Sequence, residues 1–149
     1  MWTLGICYDC IVINEQKETQ GIYLVAKVVI TNGSQVLLLK RSGTDLNRPY
    51  EWDLPGGVVK VNEDPTDAVM REAKEETGII FSNPRIIKVH HEYKERYEEY
   101  VLTLIYHTTF PDKEVKLNPE HDAYEWVDIK NAINYKMPNK YHEAIALLE

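Results

Sequence analysis

Two cysteines, Cys7 and Cys10, are all that this chain of 149 residues contains. That is too few for a disulfide framework. A zinc site needs about two further ligands, and the five histidines offer no matching pair, since His90 and His91 are adjacent and the others are scattered. A redox CxxC requires a thiol at a helix N-terminus in a βαβ setting. Here Ile6, Cys7, Ile11, Val12 and Ile13 read as a strand, which puts the two cysteines on opposite faces. Both read as ordinary reduced thiols without a role. The chain also lacks an apolar run near twenty residues, so no membrane span is implied. No basic leader precedes the apolar N-terminal stretch, which therefore does not read as a signal peptide and points to a cytoplasmic protein. Repeats, low-complexity segments and linkers are missing too. One domain covering 1–149 is expected, long enough for a core without staples. Positive charge is in deficit, 17 lysines and arginines against 24 acids, for a net charge of −7. Broad electrostatic binding to nucleic acid is thereby disfavoured. Phosphate-bearing ligands are not, because a bound divalent cation inverts the local field.

What is present reads mainly as strands. Residues 2–13 form one, followed by a polar loop to 21. Residues 22–31 (IYLVAKVVIT) form a second, Asn32-Gly33 a hairpin turn, and 35–41 its partner. A loop over 42–52 precedes a short strand at 57–61. Residues 85–95 and 98–110 read as a long antiparallel pair around the charged EYKERYEE segment. A strand at 123–127, a short helix at 128–133 and a terminal helix at 140–148 complete the chain. Tyr141, Ile145 and Leu148 share one face of the last helix. Antiparallel signals outnumber βαβ signals, which favours an α+β chain with a mixed, largely antiparallel sheet and helices packed on it.

The one strong mid-chain helix carries an electrostatic oddity. Asp64 suits the N-cap, Pro65 the first turn, Asp67 the positive end of the dipole, and Gly78 the left-handed residue beyond the C-terminus. Glu72, Glu75 and Glu76 share one stripe, with Ala68 close to it. Val69, Met70, Ala73 and Thr77 form the adjoining core face. Like charges so placed destabilise a helix, and a divalent cation explains them, because Mg²⁺ and Mn²⁺ prefer carboxylate oxygen. Arg71 points away from the core stripe, towards Glu63 in the preceding loop.

Residues 57–79, GVVKVNEDPTDAVMREAKEETGI, resemble the Nudix box GX5EX7REUXEEXGU, where U is a bulky aliphatic residue. Gly57, Glu63, Arg71, Glu72, Glu75, Glu76 and Gly78 all match. Ala73 departs by being small, though it stays apolar. Average residue usage gives a chance probability on the order of 10⁻⁹ for such a match, which displaces the simpler reading of a glutamate-rich surface helix. The approach Trp52-Asp53-Leu54-Pro55-Gly56-Gly57 is similar to the family's W-x-x-P-G-G. The resemblance implies an α/β/α sandwich with helices on both faces of the mixed sheet. It also implies Mg²⁺-dependent (or Mn²⁺-dependent) hydrolysis of a nucleoside diphosphate linked to another group. On this resemblance Glu75, Glu76 and the Gly56 carbonyl hold metal. Glu72 is a ligand, the base for water, or both, and Arg71 braces the glutamates through Glu63. Arg41 resembles the residue that carries positive charge into the family's cleft. Glu120 fits the glutamate that completes the metal site or acts as base, with Glu125 the second candidate. Trp126 reads as core.

The substrate is less legible. Members specific for ADP-ribose often carry a proline about fifteen residues past the box. Position 94 is Lys94, and no proline follows it until Pro111. Tyr97 sits near the tyrosine typical of dinucleoside polyphosphate hydrolases, and the coenzyme A motif is absent. A nucleoside triphosphate or dinucleoside polyphosphate is therefore favoured over ADP-ribose. Trp52, Tyr97, Tyr50 and Tyr93 are candidates for stacking on a base. Clustered carboxylates should titrate together, so activity should rise towards alkaline pH. The alternative is a catalytically silent nucleotide-binding or regulatory module, although such proteins usually lose a metal-binding glutamate. Monomer and homodimer are both open.

Overall fold

The computed structural model describes residues 21–112 and 114–149. The strand expected at 2–13, with Cys7 and Cys10, lies outside the described residues. Within them the order is β1 (Gly21–Asn32), β2 (Gln35–Arg41), β3 (Trp52–Asp53), β4 (Gly56–Val58), α1 (Pro65–Thr77), β5 (Arg85–Lys94), β6 (Glu99–Thr109) and β7 (His121–Asp128). A 3₁₀ helix (Ile129–Asn134) and α2 (Asn139–Ala146) follow.

The strands form one mixed sheet in the order β3-β2-β1-β6-β5, with β4 pairing β1 and β7 pairing β2. Among the described residues only β1 and β6 run parallel, from Gly21 opposite Glu99 to Thr31 opposite Thr109. Alternation along β1 and β2 divides the core, as a period of two requires. Val29, Val36 and Leu38 meet Ile105, Val127, Ala132, Tyr141, Ala144 and Ile145 on the α2 side. Val28, Ile30, Leu37 and Leu39 meet Val69, Ala73 and Tyr106 on the α1 side. The sheet is thus covered by helices on both faces, as expected. Leu38, fully buried, is a direct test of this packing: Leu38→Ala should cost about 2–5 kcal/mol.

The β1–β2 turn falls one residue later than the sequence suggests. Asn32 pairs with Gln35, so Gly33 and Ser34 make the turn. Gly33, at φ 56°, supplies the left-handed residue that a two-residue hairpin needs. Asn32 instead sends its side-chain amide to the Phe110 carbonyl at 3.0 Å. The segment expected to be loop up to Trp52 ends in the short strand β3, because Trp52 and Asp53 pair with Lys40 and Leu39.

Helix α1 starts and stops where its sequence dictates. The Asp64 carboxylate accepts the Thr66 N–H at 2.7 Å. Gly78, at φ 73°, donates its N–H to the Lys74 carbonyl. The buried residues are Ala68, Val69, Ala73, Glu76 and Thr77. Three residues differ from expectation: Ala68 is buried, Met70 is half-buried, and Glu76 belongs to the core face rather than only bordering it. No helix among the described residues is long and apolar enough to cross a membrane.

Candidate active site

On β4 the backbone runs close against β1. Gly56, at φ 127°, adopts a conformation that disfavours any side chain, and a Cβ there would stand 2.2 Å from the Ala26 carbonyl oxygen. The next glycine has a different reason. A Cβ on Gly57 would lie 2.7 Å from the carboxyl carbon of Glu72, so this glycine leaves room for a carboxylate. The Gly56 N–H donates to Glu76 Oε2 at 2.7 Å. The two glycines thus seat Glu72 and Glu76 side by side.

The glutamates differ in environment. Glu76 is 5% exposed. Burial pushes its carboxyl up to about 7, against the partial opposition of Lys27 and the Gly56 N–H. Glu72 is largely shielded and accepts from Arg71 Nη1 at 2.6 Å. Glu75 has a side chain 55% exposed and stands 3.4 Å from the same Nη1. Arg71 spans this row. Its Nε and Nη2 donate to the two oxygens of Glu63 at 2.7 and 3.0 Å, the bidentate fork that suits arginine to a carboxylate. The hydrogen bond from Arg71 holds the Glu63 carboxyl down at about 2.

A second charged cluster lies behind the first. Asp53 is fully buried. Arg41 Nη1 and Arg48 Nη2 each reach its Oδ2 at 2.7 Å, and Lys27 Nζ stands 3.3 Å from Oδ1. Burial works against ionisation of Asp53, but Lys27, Arg48 and Arg41 outweigh it and leave the carboxyl below its usual range. Arg41 also pairs with Asp45. Lys27 donates to the carbonyls of Leu54 at 3.0 Å and Gly56 at 2.6 Å. His121, buried beside Lys27 and Arg41, has its imidazole pushed down to about 4, chiefly by burial.

Both clusters open onto one cleft of about 950 Å³. Gly56, Glu72, Glu76, Arg41, Glu120 and Tyr97 all line it, although they come from five different parts of the chain. A smaller pocket of about 280 Å³, lined by Arg41, Ser42, Thr44, Asp45, Pro119, Glu120 and His121, shares Arg41 and Glu120 with it. The NUDIX domain, compared as a sequence family, matches residues 22–148. The chain belongs to the Nudix family.

Its similarities reach proteins of several activities. It is 29% identical to the nucleoside triphosphatase NudI of Escherichia coli over 119 residues, which cover 73% of this chain and 84% of that protein. It is 29% identical to the ADP-ribose pyrophosphatase of Methanocaldococcus jannaschii over 105 residues, 69% of this chain and 60% of that one. An octanoyltransferase of Myxococcus xanthus is 32% identical over 108 residues, but the chain spans only 28% of its length. Among solved structures, a MutT protein of Methanosarcina mazei superposes with a TM-score of 0.76 at 27% identity, covering 88% of this chain and 95% of that one. A Caenorhabditis elegans Ap4A hydrolase gives 0.65 at 25% identity, covering 83% and 93%. These likenesses agree with the mixed-sheet sandwich and with a MutT-like, small Nudix domain.

Nudix enzymes are typically metal-dependent, and the donors here fit a hard divalent cation. Two carboxylates, Glu72 and Glu76, meet the Gly56–Gly57 backbone in a space that a Cβ on Gly57 would fill, and oxygen is the donor that such ions take. Among the described residues no three acidic, histidine or cysteine side chains converge into a ready-made centre. Glu75 is turned to Arg71 instead, and the Gly56 carbonyl expected for metal is engaged by Lys27.

Other expected residues fall differently. Trp52 does not line the cleft. It packs against the α2-side core and meets Tyr135 edge-on, with ring centroids 5.1 Å apart; its membership of β3 turns the indole inward. Arg41 faces the cleft but is already held by Asp53 and Asp45. Tyr97 is exposed at the cleft rim, with the Arg96 guanidinium 5.4 Å from its ring. Glu120 is exposed at the start of β7, while Trp126 packs against the α1-side core as expected. Lys27, Arg48 and Asp53 were missed by sequence reasoning. The signal for Lys27 was present: a lone lysine inside the apolar run YLVAKVVIT.

Proposed function

We propose that this chain is a divalent-metal-dependent pyrophosphohydrolase, cleaving a pyrophosphate bond in a nucleoside triphosphate or dinucleoside polyphosphate to release a nucleoside monophosphate or similar product. The observation that carries it is the seating of Glu72 and Glu76 against Gly56 and Gly57, with cationic side chains lining the same cleft. Acidic groups to hold a cation and basic groups to meet phosphate are the two halves that phosphoryl chemistry needs.

Glu76, Glu72 and the Gly56 carbonyl would hold Mg²⁺, or Mn²⁺, with Glu75 and Glu120 as further donors. When bound, the cation neutralises phosphate charge and polarises the bond to be broken. The chain's own residues do the rest. Glu72 or Glu120 takes the proton of the attacking water; both line the cleft. Arg71 fixes Glu72 by a hydrogen bond while Glu63 anchors Arg71 from the other side, a supporting contact of the kind that typically changes activity 10–100-fold. Arg41 lines the cleft and would meet a phosphate oxygen there with its guanidinium. Tyr97, at the rim, is placed to stack on a base.

The relatives' activities include triphosphates, ADP-ribose and Ap4A. The lack of a proline past the box near position 94 favours the first and third. The test combines EDTA with the Glu75→Gln and Glu76→Gln variants. Expected are silence in chelator and loss of Mg²⁺-dependent turnover in both folded variants. Near-normal turnover in either variant removes its metal assignment; full activity in EDTA removes the mechanism.

A further inference from the structure

Lys27 stands in the middle of β1 and is only 6% exposed. A buried ammonium needs oxygen partners to replace water. It has three, the carbonyls of Gly56 at 2.6 Å and Leu54 at 3.0 Å and Asp53 Oδ1 at 3.3 Å. The shortest contact falls on the carbonyl assigned above to the metal. Lys27 is not the sole partner of Asp53, because Arg41 and Arg48 each donate to its other oxygen at 2.7 Å. The glycine at 56 is fixed by its φ of 127° and by Ala26 and Lys27 backbone atoms that a Cβ would strike. Its carbonyl therefore has little freedom to serve two cations in different places.

We propose that Lys27 is a built-in cation that occupies the Gly56 carbonyl in the metal-free protein, and that the divalent ion enters by displacing the ammonium from that oxygen. This rests on the metal reading of Gly56, Glu72 and Glu76 above. The lysine holds the glycine backbone in its metal-receiving shape and lowers the affinity of the empty site. Two positive groups cannot share one carbonyl without strong repulsion. Once displaced, the ammonium faces the cleft it already lines, on the side where a phosphate would arrive.

The experiment is Mn²⁺ titration of substrate-free protein, with free Mn²⁺ read by electron paramagnetic resonance. Lys27→Met, which removes the charge and keeps much of the side-chain volume, should bind Mn²⁺ about tenfold more tightly than the unmodified protein. Equal or weaker binding by folded Lys27→Met overturns the proposal. Glu76→Gln in the same titration separates the two readings. If Glu76→Gln abolishes binding and Lys27→Met does not tighten it, only the lysine proposal fails. If Glu76→Gln binds Mn²⁺ as the unmodified protein does, the metal reading fails and takes the proposal with it. Should Lys27→Met not fold, the unmodified protein answers through acylation of Lys27, read by peptide mass spectrometry. Labelling should rise when saturating Mg²⁺ is added; unchanged labelling overturns the displacement.

Discussion

Replacing Glu76 by glutamine should make the metal-free protein more stable at pH 8 while destroying its response to metal. The carboxyl is 5% exposed and lifted to about 7 from its ordinary 4.5 by burial. A raised acid favours the protonated folded state, so its contribution to stability is fully present below the unfolded value and is lost as pH rises through about 7. The shift corresponds to roughly 3 kcal/mol across that window at 1.36 kcal/mol per unit. Glutamine can still accept the Gly56 N–H through its side-chain carbonyl, and it never ionises. The attraction to Lys27 is already included in the raised value. In EDTA at pH 8 the variant should therefore gain about 1–3 kcal/mol, or roughly 3–10 °C in thermal midpoint for a chain of this size. Below pH 5 the difference should shrink towards zero. Adding Mg²⁺ should stabilise the unmodified protein and leave the variant unmoved. Urea and thermal unfolding at both pH values read all of this. A variant less stable than the unmodified protein at pH 8 in EDTA would refute the burial argument.

Three further outcomes follow from single contacts. Gly57→Ala should cut turnover at least about tenfold with only a small stability loss, because its Cβ meets the mobile end of Glu72 rather than backbone; unchanged kcat/KM would show that Glu72 has no fixed place. Asp53→Asn leaves Lys27, Arg41 and Arg48 short of their shared counter-charge and should cost about 3–5 kcal/mol in urea unfolding; a loss below about 1 kcal/mol would mean solvent screens the cluster. Arg71→Lys breaks the two-pronged contact with Glu63 and should weaken Mg²⁺ binding or activity about 10–100-fold; lysine performing as well as arginine would leave Glu63 without its bracing role.

Local features were legible in sequence because their causes are local. Asp64, Pro65 and Gly78 delimit α1 through capping and a left-handed residue, which neighbouring residues specify. The β5–β6 pair announced itself by alternation. The contact of Arg71 with Glu63 followed from helix geometry and the box spacing. The parallel β1–β6 pairing left no such trace, because it joins segments separated by five other elements. The Asp53 cluster was hidden for the same reason. Lys27 and Arg48 look like ordinary residues, and Arg41 like a cleft arginine, until the sheet brings them to one buried carboxylate. Trp52 was misplaced because a W-x-x-P-G-G motif says nothing of which face the indole takes; the pairing of β3 with β2 decides it. Glu75 was grouped with Glu72 and Glu76 by helical phase, yet burial separates them, since only Glu76 lies under the sheet-facing side of α1.

The most direct test is incubation of the full chain with Mg²⁺ and a panel of nucleoside triphosphates, dinucleoside polyphosphates and ADP-ribose, with products identified by ³¹P NMR and mass spectrometry. Release of a nucleoside monophosphate, with pyrophosphate from a triphosphate or the complementary nucleotide from a dinucleoside polyphosphate, is expected, and it should vanish in Glu76→Gln. No turnover of any member of the panel, or equal turnover by the variant, would contradict a metal-dependent pyrophosphohydrolase built on Glu72, Glu76 and Gly56.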